Sequence, residues 1–164
     1  MNEPSAPKPP KQPRAARSVA LAQETIDTRY LETLVGYNAR RAALAVIGVF
    51  LPEMAPYGLR PVDFSVLSLI AHNPGITSRQ LCAALDILPP NLVGMIKSLE
   101  QRKLVEKREH PSDRRAQGLH LTATGQSLQA EAEVKASNLE LDVTHRLTAA
   151  ERQTLIRLLR KIYL

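Results

Sequence analysis

The chain has no tryptophan, two phenylalanines, four tyrosines and one cysteine among its 164 residues. A single thiol, Cys82, excludes any disulfide within the chain and fits a reducing compartment. With so few aromatic rings, the core has to come from Leu, Ile, Val and Ala, which suits packed helices better than a β-sandwich. No apolar run approaches the length needed to span a bilayer, and the first residues lack the apolar centre of a signal peptide, so a cytoplasmic protein is expected. The histidines, His72, His110, His120 and His145, have no metal-ligand spacing with one another or with Cys82, and no metal is expected. A Gly-rich phosphate loop, a nucleophile elbow and a paired-carboxylate motif are likewise missing, so neither a cofactor nor an enzymatic activity is expected.

What the chain does have is positive charge. Its net charge is +6 and 44% of its residues are hydrophobic, which fits one compact domain with a polyanionic partner. Residues 1–22 hold Pro4, Pro7, Pro9, Pro10 and Pro13 with Lys8, Lys11, Arg14 and Arg17, and read as a disordered basic tail or an arm along a DNA backbone. Leu31, Leu34, Val35, Asn38 and Ala42 recur at helical spacing, predicting a long helix over residues 28–49 that Pro52, Pro56 and Gly58 stop. A second helix begins at Pro61, with Val62, Val66, Leu69 and Ile70 as its core face, and ends at Asn73-Pro74-Gly75.

The stretch from Leu81 to Leu121 organises the rest. Thr77 and Gln80 form a capping box for a short third helix, with Ile76 and Leu81 at the ends of a hydrophobic staple. Asp86-Ile87-Leu88 is a turn of helix-turn-helix length, and Pro89-Pro90 fixes where the fourth helix begins. Leu92, Met95, Ile96 and Leu99 share one face of that helix, with Leu88 leading in. The opposite face carries Pro90, Asn91, Val93, Gly94, Lys97, Ser98 and Gln101, a surface small enough to enter a major groove. Two strands follow, residues 104–109 and 118–121, around a charged tip with Asp113, Arg114 and Arg115. Arginines there suit the narrow minor groove, and Asp113 suits holding one of them in place. A long helix with a thin stripe (Leu128, Ala132, Val134, Leu139, Val143) comes next. Thr148 and Glu151 then cap a last helix rich in Leu and Ile, apolar enough to need a second subunit. The expected fold is mainly α: a winged helix-turn-helix lobe over residues 61–122 with a two-stranded β wing, and a dimerisation body from residues 28–49 and 125–164.

These residues resemble the MarR family of bacterial transcriptional regulators, closely over 81–125 and more loosely over 28–164. Three segments carry the resemblance: Leu99-Glu100-Gln101-Arg102-Lys103-Leu104-Val105, Asp113-Arg114-Arg115, and Leu121-Thr122-Ala123-Thr124-Gly125. The resemblance implies a homodimer on a pseudo-palindromic operator, with half-sites about 34–36 Å apart. It places Arg115 in the minor groove, Arg114 at a phosphate and Asp113 orienting the wing, with Arg108 on the outgoing strand as a further contact. It also implies a repressor released by a small molecule bound near Tyr37, Arg40, Arg41, Phe64 and His72, where arginine beside aromatic rings suits an anionic aromatic or acyl carboxylate. An alternative is redox control through Cys82, and another is a winged-helix module that docks RNA or protein. Two positions depart from the family pattern. Gly94 stands where a charged or hydroxyl side chain is common, which suggests close backbone approach. Arg60 stands where Ser or Thr caps the second helix, expected as a small local cost without functional message.

Overall fold

The computed structural model describes residues 26–110 and 113–164, the side chains of 110 and 113–116 excepted. The expectations for residues 1–22 and for the tip at Pro111 and Ser112 lie outside the described residues. The elements run α1 (Arg29–Glu32), α2 (Val35–Met54), α3 (Pro61–His72), β1 (Ile76–Thr77), α4 (Ser78–Leu85), α5 (Pro89–Gln101), β2 (Val105–His110), β3 (Asp113–Leu121), α6 (Ala123–Val143) and α7 (Ala149–Tyr163).

The first long helix differs from the expectation at both ends. It breaks at Thr33-Leu34, where Leu34 is extended, and the Asn38 side-chain amide donates to the carbonyls of Glu32 and Leu34, 2.8 Å each, the latter also accepting the Asn38 N–H at 3.2 Å. At the other end α2 runs through Pro52 to Met54. A proline costs the helix one hydrogen bond, but Phe50 and Met54, one turn apart, are both buried and hold the helix together beyond it. A 3-10 turn over Ala55–Tyr57 then ends at Gly58, whose φ of 60° is left-handed.

α3 begins at Pro61 as expected, and Arg60 is not the bare cost that its place at the cap implies. Its guanidinium grips Asp63 with two hydrogen bonds of 2.7 and 3.0 Å, while the same carboxylate accepts the Arg60 N–H at 3.2 Å. Burial pushes the Asp63 carboxyl up, but these bonds and the charges of Arg60 and Arg102 outweigh it and hold the group below the usual carboxylate range. The cap has been turned round, with the acid three residues in reaching back.

The helix-turn-helix follows the local signals. Thr77 and Gln80 form their reciprocal box, α4 ends at Asp86 with φ 51°, and α5 begins at Pro89. Asp tolerates the left-handed region better than most residues, which lets the turn close in three residues. Leu81, Leu92, Leu99 and Leu119 are at most 1% exposed, and burying such a side chain is worth about 1.5–3 kcal/mol. Leu88, expected to lead into this core, is 70% exposed instead, because the turn carries it past the end of the packed face. Val134 of α6 is also exposed, whereas Gln129 is buried, so the packed stripe of α6 runs through Gly125, Gln129, Ala132 and Leu139.

The wing belongs to a sheet of three strands in the order β1-β3-β2, one more than expected. The extended cap of α4 aligns two residues with β3, pairing Ile76 with Leu119 and Thr77 with Gly118. β2 and β3 pair from Val105 opposite Leu121 outward, with an irregularity at Glu109 and His110. Leu119 and Leu121 are buried and His120 is not, the alternation of a half-covered strand.

At the base of the wing the chain enters α6. Thr122 accepts from Gly125 N at 3.0 Å, donates its hydroxyl to the Lys103 carbonyl at 2.6 Å, and gives its own N–H to Leu104 O at 3.1 Å. A Cβ on Gly125 would stand 2.0 Å from that Leu104 oxygen. Neither atom is the end of a flexible side chain, so the contact cannot relax cheaply.

Two stability experiments follow from these contacts. Gly125→Ala is expected to lower stability by about 3 kcal/mol through steric overlap, read as a loss of melting temperature; an unchanged value would mean that the junction yields. Asp63, with its folded pKa below its unfolded value, contributes fully above the ordinary carboxylate pKa of about 3.9, and that contribution is lost as pH falls through the folded value. Arg60→Ala should therefore cost about 1 kcal/mol near neutrality, given its exposed guanidinium, and move acid unfolding to higher pH. The two proteins should converge once Asp63 is protonated, which circular dichroism across a pH series would follow.

Candidate nucleic-acid interface and effector cleft

α5 presents its polar face to solvent because the other face is spoken for by the core. Pro90, Asn91, Val93, Gly94, Lys97, Ser98 and Gln101 are all exposed, while Leu92, Ile96 and Leu99 are buried behind them. The seven residues anticipated for a groove-facing surface thus lie on one accessible helix face. Position 94 has open space around it, with nothing within 4 Å of a built Cβ. The protein's own packing therefore does not require glycine there.

The charged groups near this face divide by what already holds them. Arg102, at the end of α5, donates to the carbonyls of Gly58 at 2.9 Å and Tyr57 at 2.6 Å, tying the helix to the loop before α3. Lys107 pairs with Glu100 at 3.0 Å, and Arg108 of β2 pairs with Glu106, so Arg108 is exposed but engaged. Lys97 and Arg79 are exposed and make no ion pair with a described residue. Arg79 sits in the first turn of α4 and was not among the anticipated contacts; a cation at the start of a capped helix gives no periodic signal. Asp113, Arg114 and Arg115 open β3, and their side chains lie outside the described residues.

A second feature lies on the other side of α3. Between α2, α3 and α6 is a cleft of about 480 Å³ lined by Val46, Phe50, Pro61, Phe64, Ser65, Glu133, Ala136, Ser137, Leu139 and Glu140. Of the anticipated effector residues, Phe64 lines it, its ring meeting Phe50 edge to face with centroids 5.7 Å apart. Tyr37, Arg40, Arg41 and His72 are not among its lining residues. Arg40 and Arg41 are exposed on α2, because the core face of that helix begins nearer its C-terminal end. His72 instead binds Glu133 at 2.9 Å, so it reaches the cleft only through that carboxylate. Glu133 also accepts from Gln129, whose amide in turn donates to Ser68 of α3. Glu133, Ser137 and Glu140 of α6 were not anticipated at the cleft, because polar residues on a largely polar helix give no periodic signal of a cavity, and Ser137 and Glu140 are exposed. Cys82 is half-buried against the hydrophobic core.

Comparison with known proteins fits this geometry. Residues 57–116 match the MarR family. A putative transcriptional regulatory protein for the hcr operon of Thauera aromatica is 32% identical over 79% of this chain and 78% of its own length. The transcriptional repressor CouR bound to a 23-mer DNA duplex superposes with a TM-score of 0.79 at 36% identity, covering 85% of this chain and 99% of its own. CouR bound to p-coumaroyl-CoA gives 0.74 at 35% identity, over 84% and 96% of the two chains. A Mycobacterium tuberculosis MarR family protein in complex with salicylic acid gives 0.63 at 26% identity, over 79% and 96%. With a capped helix-turn-helix, an open recognition face, a paired wing and relatives matched along most of their length, the chain belongs to the MarR family of winged-helix transcriptional regulators.

Proposed function

We propose that this protein is a homodimeric repressor that holds a pseudo-palindromic operator through α5 and the wing, and releases it when a small aromatic effector enters the cleft between α2, α3 and α6. The observation that carries the DNA-binding half is the exposed face of α5 from Pro90 to Gln101, set beside a wing with Arg114 and Arg115 in its return strand. The relative bound to a DNA duplex has the same fold, which supports that assignment. For the effector, relatives bound to p-coumaroyl-CoA and to salicylic acid support an aromatic ligand. Its curated relatives are bacterial regulators, whose chromosomal operators lie in the cytoplasm, and this protein would work there.

The dimer rests on unsatisfied apolar surface. α7 has no buried residue, yet Leu155, Ile156, Leu158, Leu159 and Ile162 are 39–67% exposed, and Tyr30, Leu31 and Val35 near α1 are similarly uncovered. An isolated chain would leave a large hydrophobic patch in water. Two copies related by a two-fold axis would bury it and set the spacing of the two recognition helices. Leu159→Asp is expected to shift the protein toward monomer in analytical ultracentrifugation and to abolish tight operator binding; a variant that stays dimeric would move the interface elsewhere.

Within the DNA interface the roles separate by chemistry. Lys97 and Arg79 are free to meet phosphates, and a phosphate contact weakens binding to all sequences alike. Arg115, if it enters the minor groove, discriminates for A·T-rich flanks. Gly94 leaves room for the helix backbone to approach the bases. Operator titrations across a salt series distinguish them. Lys97→Ala should reduce the salt slope by about 1, and Arg115→Ala should cost about 1–3 kcal/mol mainly on the preferred sequence. Gly94→Ala should raise thermal stability by up to about 1 kcal/mol while weakening the operator complex. Uniform losses from Lys97 and Arg115, or an unharmed complex with Gly94→Ala, would overturn these roles.

A further inference from the structure

We propose that Arg102 is a positioning residue for operator binding: it fastens the C-terminal end of α5 to the loop that ends α2, and so sets where the two recognition helices of the dimer stand. The inference rests on the reading of α5 as the groove-facing helix and goes beyond it, since Arg102 acts through that helix and touches no base.

The N-terminal end of α5 is fixed within its own lobe. A three-residue turn leads into it from α4, and Leu92, Ile96 and Leu99 pack its inner face into the core. Apolar packing resists separation but has no preferred direction, so it leaves room for small slides. At the other end the helix stops at Gln101, and Glu100 reaches forward to Lys107 of β2, in the same lobe. Among the described residues, the side-chain hydrogen bonds that join this end to the loop after α2 are those of Arg102.

Arg102 makes two of them. Its Nη1 donates to the Gly58 carbonyl at 2.9 Å and its Nη2 to the Tyr57 carbonyl at 2.6 Å, across 44 and 45 residues of sequence. Two donors of one rigid plane on two successive carbonyls fix a bearing as well as a distance, which a lysine ammonium cannot do. The acceptors are themselves held. Met54 and Leu59, on either side of them, are buried, and the Leu59 N–H returns to the Met54 carbonyl at 3.3 Å. Gly58, with its left-handed φ of 60°, lies so near the guanidinium that a Cβ there would stand 3.3 Å from Nη2. Asp63 lines the same surface hollow, but the Arg60 guanidinium holds it at 2.7 and 3.0 Å, which leaves Arg102 to the carbonyls.

The loop moves with α2, because the helix runs directly into the 3-10 turn that carries Tyr57. α2 also exposes Leu44, Ile47 and Leu51, and in the proposed dimer it belongs to the body that the two-fold axis joins. The path from one recognition helix to the other therefore runs through Arg102, the loop and α2. Without the fork each α5 stays packed but pivots at its far end, which loosens the fit to two half-sites at one set spacing.

Anisotropy titrations of the full-length protein test this on a duplex that the unaltered protein selects from a random pool, made also with one base pair added or removed between the half-sites. One base pair moves a half-site by about 3.4 Å. Arg102→Met keeps most of the side-chain length and loses the fork. It is expected to bind the selected duplex about tenfold more weakly, the worth of a hydrogen bond to a charged group. Its affinity for the altered spacings should fall less, so that the preference for one spacing shrinks, while the salt slope stays unchanged. Arg102→Lys, with the charge but not the fork, should lose the spacing preference as well; if Arg102→Met does not stay folded, this variant carries the same readout alone. Equal losses at all three spacings, with a salt slope lower by about 1 in Arg102→Met and rescue by Arg102→Lys, would make Arg102 a phosphate contact and overturn the proposal. An unchanged spacing preference in both variants would overturn it too. Lys97→Ala and Gly94→Ala on the same duplexes keep the two readings apart. If these leave the complex unharmed, the reading of α5 fails; if they weaken it and the Arg102 variants do not, only the tether fails.

Discussion

The first turn of α6 lies so close to the base of the wing that position 125 has no room for a side chain. The Leu104 carbonyl is both the acceptor for the Thr122 N–H and the atom that a Cβ at 125 would strike. Two stretches, 19 residues apart where Thr122 meets Lys103, are locked at this point: the turn that leads from α5 into β2, and the passage from β3 into α6. The geometry of the DNA-binding lobe depends on that lock, because the recognition helix and the wing can address one duplex together only if their separation is fixed. The resemblance through Leu-Thr-x-x-Gly, which began as a pattern of letters, thereby acquires a cause. Threonine supplies a hydroxyl that can accept and donate at once, and glycine supplies the absence of a methyl group.

A second link joins that lobe to the body, and it is polar where the first is steric. Gln129 and Glu133 lie one turn apart on α6 and reach Ser68 and His72, one turn apart on α3. Lys135 of α6 pairs with Glu53 of α2 close by. Packed apolar surfaces between helices tolerate small slides, whereas a directional hydrogen bond between side chains is made or lost over less than an ångström. The buried Gln129 Oε1 has no hydrogen-bond partner among the described residues. Glu133 is shared between these bonds and the lining of the cleft, so the two features meet at one side chain.

What was legible in the sequence follows the range of the physics involved. The capping boxes at Thr77 and Thr148, the start of α5 at Pro89 and the alternation of Leu119 and Leu121 depend on residues within one turn or one strand, and each stands where the local rule puts it. The break at Thr33-Leu34, the passage of α2 through Pro52 and the burial of Gln129 in place of Val134 depend on what another helix brings, and periodicity alone is blind to that. The cleft is the clearest case. Arg40 and Arg41 stand near Tyr37 in sequence, whereas the part of α2 that lines the cleft is Val46 and Phe50. The acidic wall comes from α6, eighty to a hundred residues away, where glutamates on a polar helix carry no signal of a cavity.

The same division of labour explains why this chain can carry a recognition helix with so little charge. Along the exposed face of α5 the only cation before Arg102 is Lys97, and Arg102 itself is spent on the carbonyls of Tyr57 and Gly58. Few phosphate contacts can therefore come from α5. If affinity depended on that helix, the complex would be weak at moderate salt, since binding to DNA scales with the number of phosphates neutralised. In the proposed dimer, affinity would come instead from Arg79 at the start of α4, the arginines of the wing, and the doubling of every contact by the two-fold axis. Freed from supplying charge, α5 can place a proline, a valine and a glycine against the bases. On the proposed operator, such a face would read the shape of the groove and the methyl groups of thymine more than their hydrogen-bonding edges.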